Sequence, residues 1–241
     1  MAGNRIIHSS SRWSSTLSQP PGTVALDGPV ASGKSSVGLR LSQRWGHTFI
    51  DTGMMYRAIT WWALRNGIAP DDPRSGELAG RIHMDVRPGP AGTSVFVDGI
   101  DVTADLRDPA LEAAVSRYAA VPAVRRVLVE QQRRLAAEGP VVMAGRDIGT
   151  VVLPDAELKV YLQASVRERA ERRAAELPGP PSVEDVEAAL RERARLDSER
   201  DVSPLRPADD AIIIDTDDLA LDEVVERIVT LACERAAEKR R

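Results

Sequence analysis

The sequence of 241 residues is poor in cysteine and in long apolar runs. Its single cysteine, Cys233, cannot form an intrachain disulfide, and a reducing compartment suits such a chain best. No apolar run approaches the roughly eighteen residues that a membrane-spanning helix needs. We therefore predict a cytoplasmic protein without a membrane segment.

An excess of basic charge is also absent. The chain carries 32 Lys and Arg against 36 Asp and Glu, for a formal net charge of −4. A broad nucleic-acid surface normally shows a basic excess, so we expect no nucleic-acid partner. A compact anionic ligand needs only a local arginine cluster.

The length of the chain suits one α/β domain with a self-contained core, and we expect such a domain to be a monomer.

The first 22 residues are rich in serine, contain no acidic residue and end in Pro20-Pro21-Gly22. We predict that residues 1–22 form a disordered extension. A secretory signal would need a continuous apolar core, whereas the only consecutive large aliphatic residues here are Ile6 and Ile7.

The most informative stretch is residues 28–35, which spells G-x-x-x-x-G-K-S directly after the apolar residues 23–26. This is the pattern of a phosphate-binding loop between a strand and a helix, and a plain glycine-rich turn is the alternative. Lys34 would neutralise the β- and γ-phosphates of ATP or GTP, and Ser35 would offer a hydroxyl to the accompanying Mg²⁺. The predicted nucleotide site comprises Gly28, Pro29, Val30, Ala31, Ser32, Gly33, Lys34, Ser35 and Ser36.

Buried-looking strands alternate with amphipathic helices along the rest of the chain, which predicts an α/β fold with a parallel sheet. Besides residues 23–26, the predicted strands cover residues 48–50, 140–144, 158–162 and 211–215. Residues 80–138 break this order with short alternating strands followed by two helices. We interpret that region as an insertion into the parallel unit.

Arginines follow two of these strands. Arg57 lies one helical turn after Gly53, and Arg146 directly follows the strand at residues 140–144. Two arginine-rich helices within residues 167–200 are joined by a Pro-Gly hinge. Such charged faces are usually solvated, but in a phosphate-loop protein they could also close over phosphates. Asp51 begins a helix, so it is either a helix cap or a ligand.

Six motifs together resemble the bacterial cytidylate kinases of the nucleoside monophosphate kinase family, over residues 23 to about 230. They are residues 28–36, 51–57, 101–103, 116–125, 145–150, and 193–200 followed by 203–205. The resemblance implies a P-loop nucleoside monophosphate kinase fold spanning residues 23–241. In it, helices flank a five-stranded parallel sheet, residues 80–138 form an inserted monophosphate-binding region, and residues 167–200 form an arginine-rich lid. It also implies ATP-dependent phosphorylation of CMP and dCMP in pyrimidine nucleotide metabolism.

The resemblance also implies roles for individual residues. The catalytic set is Lys34, Arg146, Arg169, Arg173 and Arg200. Arg57, Arg146 and Arg200 would hold the acceptor phosphate. Ser116, Arg125 and Asp147 would read the cytosine edge, and Arg193 with Asp197 would face the sugar hydroxyls. ATP would be the phosphoryl donor, with Mg²⁺ held through Ser35.

The chain departs from the family pattern at two positions. Family members commonly carry an acidic residue where this chain has Ala144, and often an aspartate where it has Ala194. We hypothesise that Asp51 or Asp27 supports the metal instead.

Two other function classes fit the same loop. One is a kinase of another small acceptor. The other is a P-loop module that binds nucleotide without catalysis or hydrolyses it slowly, for which Ala144 would mark lost activity. The sequence lacks the Asn-Lys-x-Asp motif of guanine-specific switches. Formation of ADP that depends on the acceptor would separate these classes from a CMP kinase.

Overall fold

The computed structural model describes residues 20–177, 179, 181–200 and 202–238. Of the extension predicted for residues 1–22, residues 1–19 lie outside these described residues. Within the described part of the chain, no helix is both long and apolar enough to cross a bilayer.

Strands and helices alternate along most of the described chain. In chain order they are β1 (Thr23–Asp27), α1 (Lys34–Trp45), β2 (Thr48–Asp51), α2 (Thr52–Arg65), α3 (Arg74–Arg81), β3 (Met84–Gly89), β4 (Gly92–Val97), β5 (Ile100–Asp101), α4 (Pro109–Ala119), α5 (Pro122–Ala136), β6 (Val141–Gly145), β7 (Leu158–Gln163), α6 (Val166–Glu176), α7 (Val183–Glu199), β8 (Ile212–Asp215) and α8 (Leu221–Glu238). Single turns of 3₁₀ helix (Asp105–Arg107) and π helix (Ile148–Val152) complete the set.

The main sheet has five strands in the order β2-β6-β1-β7-β8, and every neighbouring pair is parallel. The predicted five-stranded parallel sheet flanked by helices is thereby confirmed. In its register, Asp27 lies opposite Gly145, and Asp51 lies opposite Ala144. The carboxyl ends of β1, β2 and β6 therefore meet at one edge, where open α/β sheets bind their ligands.

Helices cover both faces of this sheet because its strands are apolar on both sides. On one face, α1 and α8 pack through Leu41 and Ile228 against strand residues such as Val142. On the other face, Met143 and Ile50 pack against α5 and the π turn. The sheet is thus a buried platform that fixes its carboxyl edge rigidly.

Residues of the predicted insertion form a second, antiparallel sheet in the order β3-β4-β5. A separate apolar cluster around Met55, Leu106 and Tyr118 holds it to α2, α4 and α5. The hairpin also contacts the main sheet, since the Thr93 hydroxyl accepts a hydrogen bond of 3.0 Å from the Asp51 amide. This insertion therefore helps to position the end of β2.

The helices α6 and α7 lie side by side in the region predicted as a lid. They share a small apolar cluster made by Ala170, Val186 and Leu190. Both begin with serine caps, because Ser165 accepts from the Glu168 amide and Ser182 accepts from the Asp185 amide.

Gly38 offers a test of the packing between α1 and the sheet. Alanine normally stabilises a helix interior relative to glycine by roughly 0.5–1 kcal/mol. A Cβ at Gly38 would lie 2.4 Å from Cε2 of the buried Phe49 ring. We therefore expect Gly38→Ala to lower the free energy of unfolding by about 1–3 kcal/mol, as overpacking does.

The matched control is Gly80→Ala in α3, where a Cβ would meet nothing within 4 Å. This change should leave the free energy of unfolding unchanged or raise it slightly. Urea denaturation of both variants measures the contrast. Equal effects in the two would contradict close packing of Gly38 against the Phe49 ring.

Candidate functional site

The loop between β1 and α1 passes very close to a neighbouring strand. Gly28 has φ of 149°, and a Cβ there would lie 2.2 Å from the carbonyl oxygen of Leu162. Gly33, with φ of 88°, turns the chain into α1. The two glycines thus permit a loop whose amides and helix N-terminus can surround an anion.

Lys34 is buried at the start of α1. Its Nζ donates to the Pro29 carbonyl at 2.5 Å and to the Ser32 hydroxyl at 3.3 Å. Burial, followed by the positive charge of Arg146, lowers the pKa of Lys34 well below its usual value. A bound phosphate would favour the charged ammonium, so the loop suits an anionic ligand.

Asp51 acts both as a helix cap and as a partner of the loop. Its Oδ1 accepts from the Gly53 amide at 2.9 Å, which caps α2. Its Oδ2 accepts from the Ser35 hydroxyl at 2.6 Å. Two hard oxygen donors are therefore adjacent at the mouth of the loop, as Mg²⁺ prefers.

Asp27, the other hypothesised metal carboxylate, has a different environment. It is buried, and its carboxylate accepts from the amides of Ile148 at 2.8 Å and Gly149 at 2.7 Å. It anchors the turn that follows residues 145–147. Of the two carboxylates, only Asp51 lines the central cavity, which it does together with Ala144.

A cavity of about 740 Å³ opens at the carboxyl edge of the sheet. Most of the predicted site residues line it, namely Val30, Ala31, Gly33, Lys34, Ser35, Ser36, Arg57, Ser116, Arg125, Arg146, Asp147, Arg173, Arg193, Asp197 and Arg200. Gly28, Pro29 and Ser32 are predicted site residues that do not line the cavity. Arg169 does not line the cavity either. Its guanidinium donates to the carbonyls of Ala164 and Val30, each at 3.2 Å. Arg169 thus supports the loop through its hydrogen bond to Val30.

Buried acid–base contacts form two groups within the cavity. In the first, Arg125 donates to Asp147, and Arg200 Nη2 lies 3.8 Å from Asp147 Oδ1. In the second, Asp197 accepts from the Ser116 hydroxyl at 2.9 Å and from Arg146 Nε at 3.0 Å. Ser116 therefore bonds to Asp197, and not to the pair with which it was predicted to read a base.

Electrostatics in the cavity favour an anionic ligand. Burial would raise the pKa of Asp197, but Arg146 and Arg193 hold it below its usual value. Burial and the nearby Arg146 lower the pKa of Arg193 to about 10. The buried Nε atoms of Arg57, Arg125 and Arg193 have no hydrogen-bond partner. Unsatisfied buried donors are costly, so a ligand with oxygen acceptors would stabilise this arrangement.

Glu112 is a cavity residue that the sequence analysis did not single out. It contacts Arg57, Arg173 and Arg193. A signal for it was present, because Glu112 precedes Ser116 by four residues in a predicted helix. That spacing places both side chains on the same helix face.

No three His, Cys, Asp or Glu side chains of the described residues come together as a metal-binding group. Mg²⁺ rarely needs such a cage, since it is usually held by one or two carboxylates, water and substrate phosphates. The donors at Ser35 and Asp51 fit that mode of binding.

The chain matches known proteins along most of its length. The family model for cytidylate kinase matches residues 24–234. The cytidylate kinase of Rhodococcus opacus (strain B4) is 46% identical over 218 residues, covering 88% of this chain and 95% of that protein. The cytidylate kinase of Limosilactobacillus reuteri (strain DSM 20016) is 46% identical over 210 residues, covering 85% and 92%.

Some relatives are longer than this chain. The bifunctional pantoate ligase/cytidylate kinase of Synechococcus sp. (strain JA-3-3Ab) is 47% identical over 215 residues. The match covers 86% of this chain and 40% of that protein. The chain therefore spans about two fifths of this bifunctional relative.

Asp27 predicts a pH dependence of stability. Burial, partly offset by the amides of Gly149 and Ile148, raises the pKa of Asp27 from 3.8 to about 6. Between these values the folded state holds a proton that the unfolded state has lost, so stability from this group falls as pH rises. Asp27→Asn removes this titration. The unfolding free energy of Asp27→Asn minus that of the parent should therefore increase by up to about 3 kcal/mol from about pH 4 to pH 7.

Urea denaturation of both proteins at the two pH values measures this shift, and the other titrating groups cancel in the difference. The variant also loses one acceptor for the two amides, which adds a constant offset. A difference that stays constant with pH would contradict the raised pKa.

Proposed function

Because the chain belongs to the cytidylate kinase family, we propose that it transfers a phosphoryl group from ATP to CMP and dCMP, giving CDP and dCDP. This activity serves pyrimidine nucleotide metabolism.

The observation that carries the proposal is the convergence of arginines on one cavity beside the phosphate loop. Arg57 comes from α2, Arg146 follows β6, and Arg173 and Arg193 come from the two lid helices. Planar guanidinium groups suit phosphates because they donate two parallel hydrogen bonds. A site with a phosphate loop on one side and these arginines on the other fits two phosphorylated substrates.

Acceptor phosphate and base would then occupy neighbouring parts of the cavity. Arg57, Arg146 and Arg200 hold the acceptor phosphate in our proposal. Asp147 accepts from the cytosine amine, while Arg125 donates to a cytosine acceptor. Uracil would place a carbonyl against the carboxylate, which costs roughly 1–3 kcal/mol for the unpaired groups.

Ser116, Arg193 and Asp197 complete the acceptor site in this proposal. Ser116 assists base reading, and Arg193 with Asp197 faces the sugar hydroxyls. The hydrogen bond from Ser116 to Asp197 links these two tasks. The carboxylate that binds the sugar and the hydroxyl that reads the base would thus move together.

Phosphoryl transfer needs no covalent nucleophile, because positioning and charge neutralisation supply most of the catalysis. Lys34, Arg146, Arg173 and Arg200 neutralise the transferring group in our proposal. Arg169 contributes by holding the Val30 carbonyl, and so the shape of the loop. Closure of α6 and α7 would exclude water and limit hydrolysis of ATP.

When bound, Mg²⁺ would supply positive charge beside the phosphates of ATP. Ser35 and Asp51 are the residues that we propose to hold it, directly or through water. We favour Asp51 over Asp27, because Asp27 does not line the cavity and its oxygens accept the amides of Ile148 and Gly149 in the interior. Because residue 144 is an alanine, Asp51 is the carboxylate that we assign to this part of the cavity lining.

Several broader expectations stay part of the proposal. We expect residues 23–241 to act as one kinase domain, with residues 80–138 as the monophosphate-binding insertion and residues 167–200 as the lid. We also expect a cytoplasmic monomer that acts on small molecules, without a nucleic acid or a membrane as partner.

ADP release from Mg²⁺ and ATP tests the activity directly. CMP and dCMP should stimulate release strongly, and UMP should be poorer in kcat/KM by about tenfold or more, because of the mismatch at Asp147. AMP and the absence of an acceptor are the controls. ATP binding without any release that depends on an acceptor would instead indicate a nucleotide-binding module, and preference for another acceptor a different kinase.

Asp51→Asn tests the metal carboxylate, since asparagine caps helices as well as aspartate does. We expect the Mg²⁺ concentration for half-maximal rate to rise by about tenfold, as loss of a supporting carboxylate does. The binding of ATP without Mg²⁺, measured by calorimetry, should stay unchanged. Its matched control is Asp215→Asn, because Asp215 also accepts a backbone amide two residues ahead, at 3.1 Å, but does not line the cavity. An unaltered Mg²⁺ requirement in Asp51→Asn would refute the assignment.

A further inference from the structure

One carboxylate in the cavity pairs with arginines from three different helices. Glu112 Oε1 lies 3.0 Å from Arg57 Nη2 of α2 and 2.9 Å from Arg173 Nη2 of α6. Glu112 Oε2 lies 3.6 Å from Arg193 Nη1 of α7. Glu112 itself belongs to α4, so this single side chain connects the insertion to both lid helices.

Charge balance at this point is incomplete. Glu112 faces three guanidinium groups, and the side chains of these four residues are 14–20% exposed. Arg173 has a second carboxylate partner, Glu176, at 2.8 Å, so two negative charges face three positive ones. The Nε atoms of Arg57 and Arg193 remain buried without a hydrogen-bond partner. This cluster therefore has both positive charge and donor capacity in excess of what Glu112 supplies.

A phosphate offers these arginines more than a carboxylate does. Both present oxygen acceptors that fit a guanidinium fork, but a phosphate monoester has three terminal oxygens and about two negative charges at neutral pH. An incoming phosphate would thus satisfy more donors than Glu112. Both cannot fully occupy the same guanidinium groups.

We propose that Glu112 is a positioning residue that competes with a substrate phosphate for the same arginines. It gathers Arg57, Arg173 and Arg193 and releases them when a phosphate enters. This inference rests on the proposed function for the identity of the substrate, but its core is a competition between a carboxylate and a phosphate. The competition sets the affinity for the phosphorylated substrate below what the arginines alone would give.

A purely structural brace would behave differently. If the contacts of Glu112 persist in the complex, loss of its charge tightens phosphate binding only by removing a repulsion, and Glu112→Asp, which keeps the charge, leaves the affinity unchanged. If a phosphate displaces Glu112, a variant with weaker contacts between residue 112 and the arginines has less to break when phosphate binds, and the affinity increases. Tighter phosphate binding by Glu112→Asp as well as by Glu112→Gln therefore separates displacement from a structural brace.

The test compares the parent protein with Glu112→Gln, which keeps the shape and removes the charge. Calorimetry at fixed ionic strength measures the binding of inorganic phosphate and of CMP. We expect the variant to bind both about three- to tenfold more tightly, as for loss of a partly buried competing charge. The KM for CMP should fall by a similar factor without a rise in kcat.

The matched control is Glu199→Gln. Glu199 pairs with Arg195 at 2.6 Å on the outer side of α7, both side chains are exposed, and neither lines the cavity. This variant should bind inorganic phosphate and CMP as the parent does. A parallel increase in both variants would mean a general effect of net charge and would overturn the proposal.

Further outcomes are decisive as well. Unchanged or weaker phosphate binding by Glu112→Gln would overturn the proposal. Tighter phosphate binding with no CMP binding by any of the proteins would support it and refute the proposed acceptor. The second variant, Glu112→Asp, keeps the charge and retracts it by one methylene group, and it also serves if Glu112→Gln does not fold. Phosphate binding by Glu112→Asp should be tighter than that of the parent, and binding no tighter would overturn the proposal.

Discussion

The compensation of buried positive charge is the constraint on which this site depends. Eight basic and five acidic side chains of the described residues line one cavity, although the whole chain has a net charge of −4. Asp147 and Asp197 each hold arginines in fixed positions, because buried charges are tolerated only when paired. The remaining positive excess is what would draw phosphates into the cavity in our proposal.

The fold brings these charges together through the edge of its sheet. Strands β1, β2 and β6 end side by side, so Asp27, Asp51 and Arg146 emerge from one rigid platform. The lid arginines come from helices with only a small apolar cluster of their own. In our proposal these helices form the lid, and ion pairs of Glu112 with Arg173 and Arg193 connect them to α4. Exchange of carboxylate for phosphate at Glu112 would therefore act directly on the lid.

Much of this could be predicted from the sequence, because local patterns determine local structure. The G-x-x-x-x-G-K-S spacing predicted the loop, and the apolar strand at residues 140–144 predicted the buried centre of the sheet. Side-chain pairing could not be predicted in the same way. The bond from Ser116 to Asp197 joins residues 81 positions apart, and the place of Arg169 behind Val30 depends on how α6 packs against the loop. Such contacts follow from tertiary distances, which spacing in the sequence does not contain.

Ala144 stands where the resemblance led us to expect an acidic residue, and the surroundings of this position bear on our metal proposal. The backbone at this position is still held in place, because the Thr52 hydroxyl donates to the Ala144 carbonyl at 2.8 Å. Asp51, the neighbouring residue across the sheet, caps α2 with one oxygen and meets Ser35 with the other. The same helix carries Arg57. In our proposal, the metal carboxylate thus caps the helix that carries an acceptor arginine, so a shift of α2 would affect the phosphate contacts of both substrates.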